Sequence, residues 1–160
     1  MLEYEKVDLA FLDTAPIRLV MMAEFEVPPE QLFEWFERTD TWGWATIERV
    51  TWETEPPHHV GTTRTVHVAS QGDVLEYFLL WDQGRRMAFR FERGEMATVS
   101  ALVEDYLVEP LDGDRCRLNW TVGMQLRGLW RVATPLLRGV MRRQFQGMLD
   151  DFVRFAADQL

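Results

Sequence analysis

Hydrophobic and polar residues alternate along much of the chain with a period of two, which predicts β-strands. The first clear strand runs from Pro16 to Val27 and has one apolar face. Six further strands are predicted, at residues 45–55, 62–69, 74–81, 86–92, 97–109 and 115–124. Because the turns between the later strands are short, we expect those strands to pair as consecutive antiparallel hairpins after a first crossover.

Two segments have the three- and four-residue spacing of helices. Pro28 and Pro29 end the first strand, and residues 29–39 predict a short helix rich in large apolar side chains. Residues 129–158 predict a helix about 45 Å long, in which Pro135 marks either a kink or a start in the first turn. A helix of this length must bury its apolar stripe against the sheet, which predicts a space between the two.

The composition favours a single domain over residues 1–160, with residues 1–15 as a lead segment. Apolar residues make up 47% of the chain and aromatic residues 12%, which is too rich for disorder. No run of 18 uncharged apolar residues occurs and the N-terminus is acidic, so we expect a cytoplasmic protein with no stable membrane insertion. The single Cys116 provides neither an internal disulfide nor a cluster of metal ligands.

The net charge of the molecule limits the classes of partner that it is expected to bind. A formal net charge of −9 disfavours nucleic acid, because the phosphate backbone would be repelled. One helical stretch is nevertheless basic, through Arg127, Arg131, Arg138, Arg142 and Arg143. We favour a solvated helix face here over a contact with anionic lipid or with a partner protein. The sequence leaves open whether the protein forms a homodimer.

Turn registers indicate which side chains face the interior. If Gln83-Gly84 is a two-residue turn, the predicted cross-strand pairs are Leu80 with Met87, Phe78 with Phe89, and Glu76 with Phe91. Because Met87, Phe89 and Phe91 form the apolar face of their strand, Glu76 is predicted to point inward.

The preceding turn brings a histidine toward the same carboxylate. With Gln71-Gly72 as the turn, His67 is predicted to lie opposite Glu76 on the inner face. A buried carboxylate needs a partner, because burying it alone is costly. The pair is interpreted either as an acid/base or ligand-orienting pair, or as a structural pair without chemistry, and a bulge would break its register.

The same logic gives further candidates with open alternatives. If Trp120 faces inward, pairing across Asp112-Gly113 places Asp105 inward and Tyr106 outward, whereas a slip of one residue reverses this. Thr65 shares the predicted inner face and is either a ligand contact or, as we favour, an ordinary strand residue.

The order strand, short helix, six strands, long helix resembles the helix-grip superfamily, also called SRPBCC or START-like, over residues 16–160. The likeness is greatest to its bacterial polyketide cyclase/dehydrase branch, through Val27-Pro28-Pro29-Glu30-Gln31-Leu32-Phe33, Val60-Gly61, Glu76 with Trp81-Asp82, and Asp112-Gly113 before Asn119-Trp120. The resemblance implies an α+β fold in which a curved seven-stranded antiparallel sheet wraps the long C-terminal helix around an apolar pocket. The superfamily includes lipid-transfer domains, plant ligand carriers and aromatase/cyclases, so it implies a pocket more strongly than a reaction.

In helix-grip proteins the loop after the short helix tends to lie near the pocket mouth, which makes Trp42 and Trp44 either lining residues or, slightly favoured for each, plugs of the core. The candidate ligand-binding residues are Trp42, Trp44, Thr65, Phe78, Met87, Phe89, Phe91, Asp105, Trp120, Val140 and Gln144. The candidate catalytic residues are His67 and Glu76.

Three functions remain open on the sequence alone. The leading one is binding or carriage of a small hydrophobic molecule, such as a lipid, an aromatic or a polyketide-like compound. The second is an aromatase/cyclase or dehydratase in which His67 and Glu76 move protons on a poly-carbonyl substrate, and the third is a regulatory interaction protein. The chain contains no phosphate-binding loop, nucleophile elbow, zinc-protease motif or dinucleotide fingerprint, so no cofactor is expected.

Overall fold

The computed structural model describes residues 1–160 and consists of one antiparallel sheet and three helices. The strands are β1 (Leu2–Glu3), β2 (Ile17–Phe25), β3 (Ile47–Trp52), β4 (Thr63–Val68), β5 (Gly72–Asp82), β6 (Arg86–Gly94), β7 (Val99–Leu111) and β8 (Arg115–Leu126). The helices are α1 (Phe11–Thr14), α2 (Pro29–Glu37) and α3 (Thr134–Asp158), and two 3-10 segments are η1 (Gly43–Ala45) and η2 (Gly128–Ala133). The strand order is β2-β8-β7-β6-β5-β4-β3, with β1 paired to β6. The predicted α+β fold is confirmed, including its seven principal strands.

The long helix α3 lies on one face of the sheet, which we call the inner face. It contacts β2 and η1, and buries Leu149, Phe152 and Ala156. Pro135 stands in its first turn, so the proline starts the helix rather than kinking it. The predicted helix began too early, because residues 128–133 form a 3-10 segment instead. None of the helices combines the length and the apolar character needed to cross a membrane.

Aromatic rings fill the space between α3 and the sheet. The ring of Phe152 stacks on Trp44 with 4.4 Å between the centroids and 7° between the planes, and it lies 5.0 Å from the ring of Phe25. Trp44 in turn contacts Trp42 and Trp120. Trp44 therefore plugs the core, as the sequence slightly favoured.

The N-terminal segment covers part of the opposite, outer face of the sheet. Leu12 is buried, and a Cβ atom placed on Gly123 of β8 would lie only 3.0 Å from its Cδ2 atom. Glycine at this position therefore allows α1 to approach the sheet closely. This segment leaves the inner face free for the helix and the cavity described next.

Candidate functional site

A cavity of about 160 Å³ lies between the inner face of the sheet and α3. An apolar cavity of roughly 150 Å³ accommodates benzene, whereas pockets for drug-sized ligands measure roughly 300–1,000 Å³. Sixteen of its 23 lining residues are hydrophobic. Its lining includes three exposed residues, Thr46, Gln71 and Gln144, which we take as its mouth. The cavity is therefore large enough for an apolar group about the size of one aromatic ring.

The polar centre of the cavity is Arg64 on β4, whose side chain has no exposed surface. Its Nε atom donates a hydrogen bond of 2.5 Å to Oε2 of Glu76, which lies directly opposite on β5. The Nη1 and Nη2 atoms of Arg64 are buried and have no hydrogen-bond partner. Since an unsatisfied buried donor costs about 1–3 kcal/mol, these two nitrogens require an explanation.

Aromatic rings surround the guanidinium group. Its central carbon lies 4.4 Å from the centroid of Trp42, 5.2 Å from that of Trp52, and 5.4 Å from those of Phe78 and Phe89. A desolvated cation over an aromatic face gains about 2 kcal/mol, which offsets part of the cost of burying the charge. The rings hold the position of Arg64 but do not satisfy its remaining N–H groups.

A second carboxyl group, that of Glu104 on β7, also lines the cavity. Its Oε1 atom accepts a hydrogen bond of 3.0 Å from Nε1 of Trp120 and one of 3.4 Å from the hydroxyl of Tyr106. Burial, together with the negative charge of Glu76, raises the pKa of Glu104 to about 8. Glu104 is therefore a protonated acid at neutral pH.

The three ionisable groups of this polar centre, those of Arg64, Glu76 and Glu104, differ in protonation state at neutral pH. Burial raises the pKa of Glu76, while the charge and the hydrogen bond of Arg64 oppose that shift. Because the buried guanidinium needs a counter-ion and only Glu76 bonds to it, we assign the negative charge to Glu76 and the proton to Glu104. At neutral pH the polar centre then carries no net charge.

The chain's two non-glycine residues with positive φ lie at and beside the mouth of the cavity, since one lines it and the other precedes the lining residue Gln71. These are Thr46, with φ 59°, and Ser70, with φ 67°. The backbone N–H of Ala69 donates a hydrogen bond of 2.9 Å to the carbonyl of Thr46, which ties the two segments together. A β-branched residue in the left-handed region is strained, and such strain often occurs at functional sites.

The predicted pairing of His67 with Glu76 is wrong. His67 lies opposite Asp73, and its Nδ1 atom is 2.7 Å from a carboxylate oxygen of Asp73. Its neighbour Val66 lines the cavity, so the alternation along β4 places His67 on the outer face. Thr65 lies on the same outer face, where its hydroxyl bonds to Glu53, and it does not reach the cavity.

The predicted inward orientation of Asp105 is also wrong. Asp105 lies on the outer face and accepts two hydrogen bonds of 2.9 Å from the guanidinium of Arg86. Tyr106, which the same register placed outward, is buried on the inner face opposite Trp120, as the alternative register shifted by one residue predicted.

Both errors have the same physical cause, which is a turn of three residues where two were assumed. Val68 pairs with Gly72, so the turn is 69–71, and Leu111 pairs with Arg115, so the turn is 112–114. In each case an odd shift in register reverses which residues face inward.

The β5–β6 register was predicted correctly where it matters for the site. Phe78 lies opposite Phe89 and Glu76 opposite Phe91, although the turn again has three residues. An irregularity between Phe78 and Leu80 compensates for the longer turn. The predicted pairing of Leu80 with Met87 is wrong for that reason, because Leu80 lies opposite Ala88 instead.

The remaining candidate residues fall into three groups. The cavity is lined by Trp42, Glu76, Phe89, Phe91, Trp120 and Gln144. Phe78, Met87 and Trp44 are buried in the core without lining the cavity. Val140 is 51% exposed and does not line it, because it lies on the solvent side of α3.

Sequence reasoning missed Arg64 and Glu104. Along β4, Arg64 alternates with Thr63 and Thr65 and shares its face with Val66 and Val68, a signal that could have identified it. Along β7, residues 99–106 are all buried, so the sequence offered no alternation from which to place Glu104.

This fold recurs in solved structures. A START superfamily protein from Mycobacterium smegmatis superimposes with a TM-score of 0.75 at 9% identity, covering 90% of this chain and 99% of its own. The Zhui aromatase/cyclase from Streptomyces sp. R1128 gives a TM-score of 0.66 at 18% identity, covering 88% of this chain and 93% of its own. These similarities define the class as a START-like helix-grip fold.

Sequence comparison defines the family. The model for "polyketide cyclase / dehydrase and lipid transport" matches residues 16–156, and the chain belongs to that family. Uncharacterised proteins from Mycobacterium tuberculosis and Mycobacterium bovis are each 38% identical to it over 164 aligned positions, covering 97% of this chain and 96% of theirs.

Proposed function

We propose that the protein binds in this cavity a small neutral molecule that has an apolar body of about one ring and a carbonyl group. The observation that carries the proposal is the pair of unpartnered nitrogens, Nη1 and Nη2 of the buried Arg64. A carbonyl oxygen accepts hydrogen bonds from both without changing the charge of the site. The protonated carboxyl of Glu104 supplies a further donor in the same cavity.

A neutral acceptor fits the electrostatics better than a carboxylate does. The positive charge of Arg64 is already compensated by Glu76 at 2.5 Å. An anionic ligand would bring an uncompensated charge into a site of low dielectric, and burial of such a charge is costly. The ligand is therefore expected to be a ketone, aldehyde, ester or related neutral carbonyl compound.

Three probes of matched size test the proposal. Acetophenone carries the carbonyl, α-methylstyrene replaces its oxygen by a methylene group, and benzoate carries a charge. We expect acetophenone to bind at least about tenfold more tightly than α-methylstyrene, because a hydrogen bond to a charged donor contributes about 1.5–3 kcal/mol. Benzoate should bind more weakly than acetophenone. Titration by calorimetry or by quenching of the fluorescence of Trp42 and Trp120 measures these affinities.

Paired variants separate recognition of the carbonyl from stability. The double variant Arg64→Met with Glu76→Leu removes both charges, so no ion is left unpaired, and it should lose most of the preference for acetophenone, with Glu104 as the one remaining donor of the proposal. The control is Arg86→Met with Asp105→Leu, which removes an ion pair on the outer face and should keep the preference for acetophenone. Equal affinities of the native protein for acetophenone and α-methylstyrene would refute carbonyl recognition, and no saturable binding of any probe would refute the ligand site.

A second function, proton transfer next to a carbonyl, is favoured by the pKa of about 8 at Glu104. A general base works best when its pKa lies near the working pH. In this proposal the ionised Glu104 takes a proton from the carbon next to the carbonyl, and Arg64 stabilises the resulting enolate oxygen. Glu104 thereby replaces His67 as the candidate acid/base group, since His67 lies on the outer face.

Deuterium exchange tests this second function. The methyl protons of acetophenone should exchange in deuterated water faster with protein than without it, and the exchange rate should rise with pH through about 8, as the base ionises. Glu104→Gln should abolish the catalysed exchange while acetophenone still binds. Binding by the native protein without any acceleration of exchange would identify a binding protein rather than an enzyme.

A further inference from the structure

An exposed apolar ridge extends over the 3-10 segment η2 and the first turns of α3. It is formed by Leu129, Trp130, Val132, Leu136 and Val140, which are 89%, 50%, 82%, 81% and 51% exposed. These five residues are half of the exposed large hydrophobic side chains of the protein, although they fall within twelve consecutive positions. The spacing from Leu129 to Val132, and from there to Leu136 and Val140, places these four along one side of η2 and α3, and Trp130 is next to Leu129 in the chain.

Five arginines lie within or next to this stretch of the chain, and together with the ridge they form what we call the docking face: Arg127, Arg131, Arg138, Arg142 and Arg143. Arg127, Arg131 and Arg138 also donate hydrogen bonds to backbone carbonyls. None of the five forms a salt bridge with a carboxylate, although nine of the other eleven arginines do. No Asp or Glu occurs between Asp114 and Asp150. The docking face is therefore positive on a molecule whose net charge is −9.

We propose that the docking face binds the surface of a bilayer that contains anionic lipids. Apolar side chains next to arginines suit the boundary between acyl chains and headgroups, and a tryptophan such as Trp130 is favoured at that boundary. Each arginine near an anionic surface adds to the attraction. The acidic remainder of the protein does not prevent docking, because charges beyond about 8 Å are largely screened at physiological salt.

The charges of the docking face disfavour a second copy of this chain as its occupant. A two-fold dimer would place the same surface of each copy in contact, and the five arginines would then face one another without counter-ions. An anionic bilayer supplies the complementary charge and an apolar layer together.

The inference does not depend on what the cavity holds. The next turns of the same helix, through Met141, Phe145 and Met148, line the cavity, so a docked bilayer would lie close to its mouth. Vesicle binding is measured without added ligand, so a failure here and a failure of the carbonyl proposal are separate results.

Co-sedimentation with vesicles tests the docking face. We expect binding to phosphatidylcholine vesicles that contain about 30% phosphatidylglycerol, and little binding to phosphatidylcholine alone. Raising the salt concentration from about 0.05 to about 0.3 M should weaken the binding. Binding that is equal for both compositions, or absent from both, would overturn the proposal.

Matched variants assign the binding to this surface. Arg142→Gln with Arg143→Gln should lower the partition coefficient about tenfold or more, whereas Arg93→Gln with Arg154→Gln removes the same charge elsewhere and should change it little. Trp130→Ser with Leu136→Ser should also weaken binding, and Val20→Ser with Met22→Ser is its control on the exposed face of β2. If both docking-face variants bind the vesicles as tightly as the native protein does, the docking face is not the surface that binds lipid.

The same variants distinguish self-association from lipid binding. Sedimentation velocity without lipid should show no dimer that depends on the docking face. A native dimer that Trp130→Ser with Leu136→Ser converts to monomers would identify a second copy as the occupant and overturn the lipid proposal.

Discussion

Arg64 combines complete burial with incomplete hydrogen bonding. Only its Nε atom has a protein partner, Glu76, while aromatic faces such as that of Trp42 cover the guanidinium. A core that served stability alone would gain by replacing such a pair with apolar residues of similar size. The pair is therefore better explained by recognition in the cavity than by its contribution to folding.

Removing Arg64 alone should be far more harmful than removing the pair. Arg64→Met leaves the carboxyl of Glu76 buried without its partner, which raises the pKa of Glu76 further and should lower the free energy of unfolding by about 3–5 kcal/mol at neutral pH. Adding Glu76→Leu removes the stranded group, so the double variant should lose less than the sum of the two single losses. Urea unfolding of the native protein, the two single variants and the double variant measures these free energies of unfolding. If the losses of the two single variants add up to that of the double variant, Arg64 and Glu76 are not coupled.

The raised pKa of Glu104 should make stability depend on pH. The folded protein keeps a proton on Glu104 up to about pH 8, whereas the unfolded carboxyl group releases it near its ordinary value of 4.5. Between these values the folded state binds more protons, so the free energy of unfolding contributed by Glu104 falls as pH rises. Glu104→Gln cannot release a proton and should lack this part of the decline.

Urea unfolding of the native protein and Glu104→Gln between about pH 5 and 8 checks this. The stability of the native protein relative to the variant should fall by a few kcal/mol over that window. Glu109→Gln is the control on the same strand, where Glu109 is half-buried and accepts a hydrogen bond from Asn119, and it should follow the native pH dependence. A constant difference between native protein and Glu104→Gln would show that Glu104 titrates normally.

At the scale of elements, turns rather than strands limited what the sequence could predict. The strands were placed within a few residues because alternation is strong, as in β2. The turn 69–71 begins before the predicted Gln71-Gly72 dipeptide and moves the register by three residues, which places Arg64 rather than His67 opposite Glu76. The turn 112–114 has one residue more than predicted and moves the register by one, which exchanges Asp105 for Tyr106 at the cavity. Local sequence determines strand position well but specifies turn length poorly, and turn length sets the register.

The two halves of α3 should differ sharply in their importance for folding. Phe152 has no exposed surface and stacks on Trp44, so Phe152→Ala should lower the free energy of unfolding by about 3–5 kcal/mol. Leu136 on the same helix is 81% exposed, and Leu136→Ala should change it by no more than about 0.5 kcal/mol. Chemical denaturation of both variants compares them directly. Similar losses would mean that the first half of α3 is buried in solution.

For the whole molecule, the order of elements and the motifs that resemble the polyketide cyclase/dehydrase branch were enough to predict the fold and the existence of a pocket. The contents of the pocket were not predictable in the same way. They depend on contacts between segments far apart in sequence, such as Trp120 with Glu104, and on a strand, β7, that is buried on both faces over most of its length. The basic stretch from Arg127 to Arg143 was visible in the sequence, but the exposure of the apolar side chains within it was not, so the sequence alone favoured a solvated helix face.

The strained mouth has a consequence for how fast a ligand enters and leaves. Thr46 at the mouth and Ser70 beside it have left-handed backbone, and the hydrogen bond from Ala69 to Thr46 joins their segments. Glycine adopts this conformation without strain but also adopts many others, so Thr46→Gly with Ser70→Gly should let the mouth open more often. Stopped-flow fluorescence with acetophenone should then show association and dissociation rate constants that rise together, with an affinity within about twofold of the native value, since Thr46 lines the cavity only at its exposed mouth and Ser70 does not line it. Asp114→Gly, in the distant 112–114 turn, should leave both rates as they are. The residence time of a ligand would thus be set by the backbone conformation of two residues at the rim of the cavity rather than by the groups that bind it inside.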